Sequence, residues 1–399
     1  MDPLHVESGE CWVHLAFDAA SAIDLERAES RLAEAHRVAR ASSDSAGASA
    51  SRESISDSKR TPPGIQFRPK PLRLVRPAKP LAIGSSQRTT EPEVELTIYE
   101  FGAISVAYRV RIADASLEDL RRLTNDLADT SPMLRDARAQ IDRVLGETGD
   151  AARRIRVADP IEDYLVLHLR SWRHGTAKDE MPPLASLAQE TAQILRAADE
   201  PLSTAEIEDA LACTISYGRR DLAIIDWNAA ILFEPDPRSA ADLLAVLEFA
   251  NVELVELRFL DDRLDGILDA AYRALGSAGE GDGVPALVSS SLLPWRRGLD
   301  REHRRLAALQ MDSALLFEGV NNAIKLIGDQ FLARVYRLAA KRFHLAEWDA
   351  AILRKLETLQ QLYEKASDAR ATRRMEILEW IIIILIALSI VIVFVPGTK

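Results

Sequence analysis

The sequence predicts an α+β protein with a ferredoxin-like βαββαβ-type N-terminal part, followed by a long helical hairpin ending in a single C-terminal transmembrane helix. Three observations predict this fold class. Strand and helix patterns alternate in the N-terminal half, and apolar stripes at helical spacing mark the last hundred residues. Fifteen uncharged residues, from Ile381 to Val395, lie four residues from the C-terminus.

The composition limits what the protein can be. A chain of 399 residues with 47% hydrophobic residues can form two or three domains with packed cores. The formal net charge of −11 argues against binding nucleic acid over the whole surface. Cys11 and Cys213 do not indicate a disulfide framework, which fits a reduced, cytosol-facing protein.

Residues 1–40 are predicted to supply the first strand and helix of the α+β domain. Cys11 to Phe17 reads as a strand. Asp24 to Arg40 reads as a helix, because its acidic residues come early and its basic residues come late, which complements the helix dipole.

Residues 41–92 are predicted to be a linker, disordered and Ser-rich at first, then basic and Pro-rich. Ala41 to Ser56 cannot bury enough apolar surface to fold. Lys59 to Arg88 contains eight Lys or Arg, six Pro and no acidic residue, so it either contacts a ribosome, RNA or lipid headgroups or is a plain solvated linker. Its cations are Lys59, Arg60, Arg68, Lys70, Arg73, Arg76, Lys79 and Arg88.

Residues 93–285 are predicted to complete the α+β domain. Val94 to Ile112 alternates on both sides of Phe101-Gly102, which indicates a hairpin whose turn uses Gly102. A helical region from Leu117 to Leu145 and a strand from Asp163 to Trp172 follow. Together with the first strand and helix, these elements give the βαββαβ order.

The remainder of this domain is predicted to be largely helical. A helix from Pro183 to Ala198 precedes a second helix that the capping box Ser203-x-x-Glu206 opens. Asp221 to Phe233 is a strand candidate, and Arg238 to Leu275 has the pattern of a long helix.

Residues 286–376 are predicted to form a helical hairpin or coiled-coil stalk that supports a homo-oligomer. Two apolar stripes carry this prediction. They comprise Leu309, Leu316, Val320, Ile327 and Phe331, and Ile352, Leu356, Leu359, Tyr363 and Ala366.

Residues 377–395 are predicted to be a transmembrane anchor in the lipid bilayer. Nineteen helical residues span roughly 28 Å, close to a hydrocarbon core of about 30 Å. Their apolar side chains favour insertion by roughly 5 to 9 kcal/mol, whereas the charge of Glu379 costs about 3 kcal/mol at most. Glu379 and Trp380 are expected at the interface, with Ile381 to Val395 inside. The alternative is a buried core or oligomer-interface helix.

Flanking charge orients this anchor. Arg370, Arg373 and Arg374 precede the span and only Lys399 follows it, so the N-terminal domain is expected in the cytoplasm. The N-terminus lacks the features of a signal peptide. The expected localisation is a single-pass protein of a bacterial inner membrane, tethered by its tail.

The sequence predicts no catalytic residue, cofactor or metal site. It contains no P-loop, dinucleotide-binding, zinc-protease or nucleophile-elbow motif. His168 and His174 are weak metal candidates, and a hydrogen-bonded strand histidine is the stronger interpretation. Asp261, Asp262 and Asp265 put two carboxylates near one helix face, as metal sites do, but ordinary helix-surface ion pairs with Arg258 and Arg263 are the stronger interpretation.

Several stretches carry a resemblance to a known family. "EFANVELVELRFLDDRLD" from Glu248, "NNAIKLIGDQFLARVYRLAA" from Asn321, "FHLAEWDAAILRKLETL" from Phe343 and "LEWIIIILIA" at the C-terminus resemble the family of required for meiotic nuclear division protein 1, domain of unknown function 155. The likeness extends from Val94 to Val395. It implies no catalytic residues, and it implies support for the translation of membrane proteins.

The leading hypothesis is therefore a membrane-tethered, cytoplasm-facing scaffold or assembly factor that links ribosomes, or the translation of membrane proteins, to the membrane. The basic linker would contact the ribosome or RNA. The alternative is a membrane-associated enzyme or a nucleotide- or metal-binding protein whose site follows no motif.

Overall fold

The computed structural model describes residues 4–44, 54–55, 70–84, 88–175, 177–179, 183–279 and 330–362. The chain divides into two compact units, each described by itself below. The first comprises Met1–Phe259 and Asp312–Asp349, and the second comprises Leu260–Met311 and Ala350–Lys399.

The described strands are β1 Leu4–Asp18, β2 Ala22–Ile23, β3 Ser54–Ile55, β4 Leu72–Pro77, β5 Glu93–Ile98, β6 Ala103–Ser116, β7 Ala152–Arg153, β8 Ile161–His174, β9 Ala177–Lys178, β10 Thr214–Ile215, β11 Leu222–Ile225 and β12 Ala229–Phe233. The described helices are α1 Leu25–Asp44, α2 Leu117–Asp126, α3 Ser131–Thr148, α4 Ala188–Arg196, α5 Thr204–Ala210, α6 Pro237–Gly279, α7 Gln330–Arg342 and α8, residues 345–362. Short 3₁₀ helices cover Gly149–Ala151 and Leu184–Ser186.

A large mixed sheet organises the first unit. Within the described ranges it contains ten strands, nine of them in the order β10-β11-β12-β8-β1-β6-β5-β4-β3, while β9 pairs with β8. β12 and β8 are parallel, whereas β1 is antiparallel to both β6 and β8. The four strands of the predicted βαββαβ order lie side by side as β8-β1-β6-β5, in the middle of the sheet.

The α+β class is confirmed, but the ferredoxin-like fold class is wrong. The sheet extends beyond the four predicted strands on both sides, because β4 adds to β5 and because β12 pairs with β8. The segment Asp221 to Phe233, predicted as one strand, is a hairpin of β11 and β12. Pairing between distant strands widened the sheet, and local alternation does not reveal such pairing.

Part of the predicted linker also lies in this sheet. In β4, Leu72 and Leu74 are buried and alternate with more exposed neighbours, which is the period of a half-buried strand. The basic and Pro-rich composition of the segment masked that alternation. Within 41–92, the residues 45–53, 56–69 and 85–87 lie outside the described residues.

The predicted transmembrane architecture is corrected as well. No helix among the described residues is both long enough and apolar enough to cross a membrane, which contradicts the predicted tail anchor and inner-membrane localisation. α6 is the longest described helix, yet it contains Glu248, Glu253 and Glu256, and charges at such positions oppose insertion. The proposed anchor, 377–395, lies outside the described residues, as does most of the proposed stalk, 286–376.

The apolar face of the sheet forms the core. Cys11, Val13, Leu15 and Phe17 alternate along β1 and are fully buried in one cluster with side chains from α1 to α4. Each large side chain in such a cluster contributes about 1.5–3 kcal/mol. The intervening residues of β1 therefore lie on the opposite face, where α6 packs.

A buried charge cluster attaches α7 to the rest of the first unit. Asp226 is fully buried in the β11–β12 turn and accepts hydrogen bonds from Arg196 Nε at 3.0 Å and from Arg342 Nε at 2.6 Å. The two guanidinium groups compensate a carboxylate that would otherwise be costly to bury. Tyr336 of α7 also donates a hydrogen bond to Glu253 of α6, at 2.5 Å.

The predicted β5–β6 hairpin is confirmed, and its turn requires glycine. Gly102 has φ +108°, and the Ala19 and Ala20 amides both donate to its carbonyl at 3.2 Å. A Cβ at this position would lie 1.7 Å from the Ala20 carbonyl oxygen. This close approach holds the hairpin turn against the end of β1.

We expect Gly102→Ala to destabilise the first unit by more than about 3 kcal/mol, because strained backbone and a backbone clash add together. Gly146→Ala is the matched control, because Gly146 lies in α3 and a Cβ there would meet nothing within 4 Å. The control should be neutral or stabilising by up to about 1 kcal/mol. Chemical denaturation of both variants measures the difference. Equal unfolding midpoints would contradict the requirement for glycine at position 102.

Glu253 of α6 makes the stability of the first unit depend on pH. Burial raises its pKa to about 7, although the hydrogen bond from Tyr336 acts in the opposite direction. The folded state therefore binds more protons than the unfolded state between pH 4.5 and about 7. Stability from this group is lost as the pH rises through that window.

Glu253→Gln removes this loss and keeps an acceptor for Tyr336. We expect its thermal stability relative to wild type to rise between pH 5 and pH 8, by at most about 3 kcal/mol. The exposed Glu208→Gln serves as control. A difference between E253Q and wild type that stays constant with pH would contradict the role of Glu253.

Candidate functional site

A groove in the first unit separates the polar face of the sheet from the beginning of α6. Its volume is about 710 Å³, and it is lined by side chains from β1, β4, β5, β6, β8 and α6. A volume of this order suits a ligand of drug or cofactor size. The groove is therefore the candidate functional site.

Strand register places the groove residues next to one another. Trp12 and His14 project from the same face of β1, and Trp12 lies opposite Arg109 of β6. Glu10, on the same face, lies opposite His168 of β8. The alternation that buries the apolar half of β1 thus aligns these polar side chains beneath α6.

His14 is the most unusual residue of the groove. It is only 2% exposed, yet neither of its ring nitrogens has a hydrogen-bond partner within the described residues. Burial lowers its pKa below the usual value, and the nearby Arg73 acts in the same direction, while Glu248 opposes it. A neutral imidazole with one donor and one acceptor, both unused, faces a cavity. Each unused buried group costs about 1–3 kcal/mol.

Trp12 stands beside His14 and is also incompletely satisfied. The two rings are parallel within 10°, with centroids 6.0 Å apart. The buried indole Nε1 has no hydrogen-bond partner in the part of the chain that is described. The guanidinium of Arg109 lies 5.4 Å from the centre of the Trp12 ring, close enough for a cation–π contact.

Charged pairs surround these rings. Arg73 Nη2 lies 3.2 Å from Glu248 Oε2, which joins β4 to α6 across the groove. Arg109 Nη2 lies 3.1 Å from Glu93 Oε2 on the neighbouring strand. The pair between Arg170 and Glu10 is looser, at 3.9 Å, and half of the Arg170 side chain is exposed. The guanidinium group of Arg170 is therefore available to bind a ligand at the open side of the groove.

The helix side of the groove is built from small residues. Ala240, Ala241 and Ala245 face the sheet and leave the space that larger side chains would fill. The N-terminus of α6 does not supply a free anion site, because Asp236 Oδ2 already accepts the Ser239 amide at 2.9 Å. Positive charge in the groove comes instead from arginine side chains, including the exposed Arg238.

His168 lies in the groove as a satisfied strand residue. Its Nε2 donates to the Glu234 carbonyl at 2.9 Å, which fixes the tautomer and leaves Nδ1 as an acceptor. Burial lowers its pKa, while this hydrogen bond acts in the opposite direction. His174 lies six residues further along β8, so the two predicted histidines are not brought together. No group of three metal-binding side chains occurs among the described residues.

The aspartates at 261, 262 and 265 belong to the second unit, and none of them lines the groove. Lys355 Nζ lies 2.7 Å from Asp261 Oδ1 and 2.6 Å from Asp265 Oδ1. An ion pair with Lys355 of α8 therefore accounts for Asp261 and Asp265. Arg258 instead pairs with Glu162 of β8, within the first unit.

The predicted basic segment is dispersed in the structure. Arg73 pairs with Glu248, and the buried Arg76 pairs with Glu147 of α3. Lys79 is exposed, while Lys70 and Arg88 are partly buried, and Arg88 donates to the Asp119 carbonyl at 3.4 Å. Lys59, Arg60 and Arg68 lie outside the described residues, as do Glu379, Trp380, Ile381 and Val395 of the predicted anchor. Contact with RNA or a ribosome, and a homo-oligomer, stay predictions.

Sequence reasoning missed Trp12, His14 and Arg109 as site residues. Each alternates with apolar neighbours on a strand, which is the ordinary pattern of a solvent-facing side chain. Only the packing of α6 turns that face into an enclosed groove. The available signal was weak: a Trp and a His two residues apart on a strand that is otherwise strongly apolar.

The comparisons with known proteins give one family. A family model described as the N-terminal domain of the uncharacterized protein MJ0711 matches residues 8–240, more than half of the chain. The uncharacterized protein MJ0711 of Methanocaldococcus jannaschii is 22% identical over 203 residues, which cover 50% of this chain. The match spans 57% of that relative's length. No solved structure gave a significant match, and no comparison supports the predicted relation to required for meiotic nuclear division protein 1.

Proposed function

This chain belongs to the family of the MJ0711 N-terminal domain, and from the groove that its strands build we propose that it is a binding protein for a small anionic ligand. The match from residue 8 to 240 includes all of the sheet strands that line the groove and the first turn of α6. The observation that carries the proposal is the pair of exposed arginines, Arg170 and Arg238, that line a cavity of about 710 Å³.

The polar face of the sheet supports binding rather than a purely structural role. A helix that packs on a sheet normally buries apolar surface on both sides. Here α6 covers Trp12, His14 and Thr97, and leaves a cavity beside them. Unused hydrogen-bonding groups lower stability, so their retention is consistent with a ligand that completes them.

The charge of the groove supports an anion. Four arginines and three glutamates line it. Arg73 is paired with Glu248, and Arg109 with Glu93 and Glu95, so the positive charge that a ligand can use is that of Arg170 and Arg238. The looseness of the Arg170–Glu10 pair and the exposure of Arg238 leave donors for a phosphate or carboxylate. Guanidinium forms two parallel hydrogen bonds with such groups.

We expect inorganic phosphate, the simplest probe of this charge, to raise the unfolding temperature at constant ionic strength. The double variant Arg170→Gln, Arg238→Gln should weaken phosphate binding at least about tenfold, since each charge-assisted hydrogen bond contributes about 1.5–3 kcal/mol. Thermal unfolding at increasing phosphate concentration measures the effect.

The control is the double variant Arg122→Gln, Arg135→Gln, which removes the same charge from exposed positions on α2 and α3. It should respond to phosphate like the wild type. An equal phosphate response in both double variants would mean that the groove arginines do not bind the anion.

The second candidate is a scaffold that recruits a ribosome or an assembly factor, as the resemblance to required for meiotic nuclear division protein 1 implies. Its support is the stretch from Glu248 to Asp265, which carries that resemblance and forms the middle of α6. Recovery of ribosomal RNA with the purified full chain would favour this role. If the double variant Arg170→Gln, Arg238→Gln recovers as much ribosomal RNA as the wild type, recruitment of the ribosome does not depend on ligand binding in the groove.

A further inference from the structure

We infer that the groove accepts a nucleotide, with the base held by Trp12 and His14 and the phosphate held by the arginines at the open side. The inference rests on the proposed function, because it names the ligand class of the same groove. It goes beyond that proposal in stating which part of the ligand each group recognises.

The unsatisfied atoms specify the hydrogen bonds that the ligand must make. The Trp12 indole supplies one donor, and the neutral His14 ring supplies one donor and one acceptor. The ligand must therefore present two acceptors and one donor. Nucleobases carry such a set of groups on the edges of a rigid ring, whereas inorganic phosphate at neutral pH is chiefly an acceptor.

The shape of this region favours a flat ligand. The parallel rings of Trp12 and His14 rise from alternate residues of β1, so they form an aromatic wall on the sheet. Ala107 and Ala245, which also line the groove, add small apolar surfaces and leave room for a ring.

The two recognition regions differ in exposure, which matches the two parts of a nucleotide. His14 and Thr97 are buried, at 2% and 3% exposure, so an uncharged base suits them. Arg170 and Arg238 remain exposed and can neutralise a phosphate that keeps part of its hydration. Arg109 belongs to the region of the base, since it contacts the Trp12 face and is directly opposite it in the sheet.

Titration calorimetry on the full chain provides the test. The probes are AMP, GMP, CMP and UMP, with ribose 5-phosphate and inorganic phosphate as ligands that lack a base. We expect at least one nucleotide to bind at least tenfold more tightly than ribose 5-phosphate. His14→Phe should remove that difference, because phenylalanine keeps the ring and loses both nitrogens.

Two further variants separate recognition from folding. His14→Gln keeps one donor and one acceptor, so it should retain part of the preference for nucleotides. His5→Phe, on the same strand but outside the groove, should behave like the wild type. The unfolding temperature of each variant without ligand shows whether it folds.

The outcomes are distinct. A preference for a nucleotide that H14F abolishes and H14Q partly restores supports the inference. Ribose 5-phosphate binding as tightly as every nucleotide overturns the inference and leaves the proposed anion-binding function standing. If neither the nucleotides nor the two simpler phosphates bind, both the inference and the proposed function are wrong.

Discussion

The pairing of β1 with both β6 and β8 is the constraint on which the rest of the structure depends. Fifteen residues of this strand lie in the middle of the sheet, and its register decides which side chains face the core and which face α6. A shift of one residue would exchange Val13 with His14 and destroy both faces. The apolar core and the polar groove are therefore two consequences of one register.

Charge compensation is the second general feature of the first unit. Asp226 is buried with Arg196 and Arg342, and Glu248 is buried with Arg73. Such pairs add little net stability, but breaking one of them leaves a costly isolated charge. They therefore fix the positions of α6 and α7 on the sheet within this unit. His14 differs from these groups, because its nitrogens have no such compensation among the described residues.

Much of the local structure could be predicted, whereas the site could not. The β5–β6 turn at Gly102 and the cap at Ser203 depend on neighbouring residues, and both predictions are confirmed. The ferredoxin-like fold class failed because β4 and β12 join the sheet through distant partners. The predicted transmembrane architecture failed because no described helix is apolar enough to cross a membrane. Groove residues such as Trp12 and Arg109 resemble ordinary exposed strand residues until α6 covers them.

The sequence by itself determined the α+β class, the main central strands and some of the helix starts, because alternation, glycine turns and caps act over a few residues. Only the tertiary structure decided the breadth of the sheet and the partners of the arginines in β4. It also decided the burial of His14, since this depends on a helix that lies more than two hundred residues later in the chain. The physical reason is that burial and charge pairing are properties of three-dimensional neighbours, which no local pattern encodes.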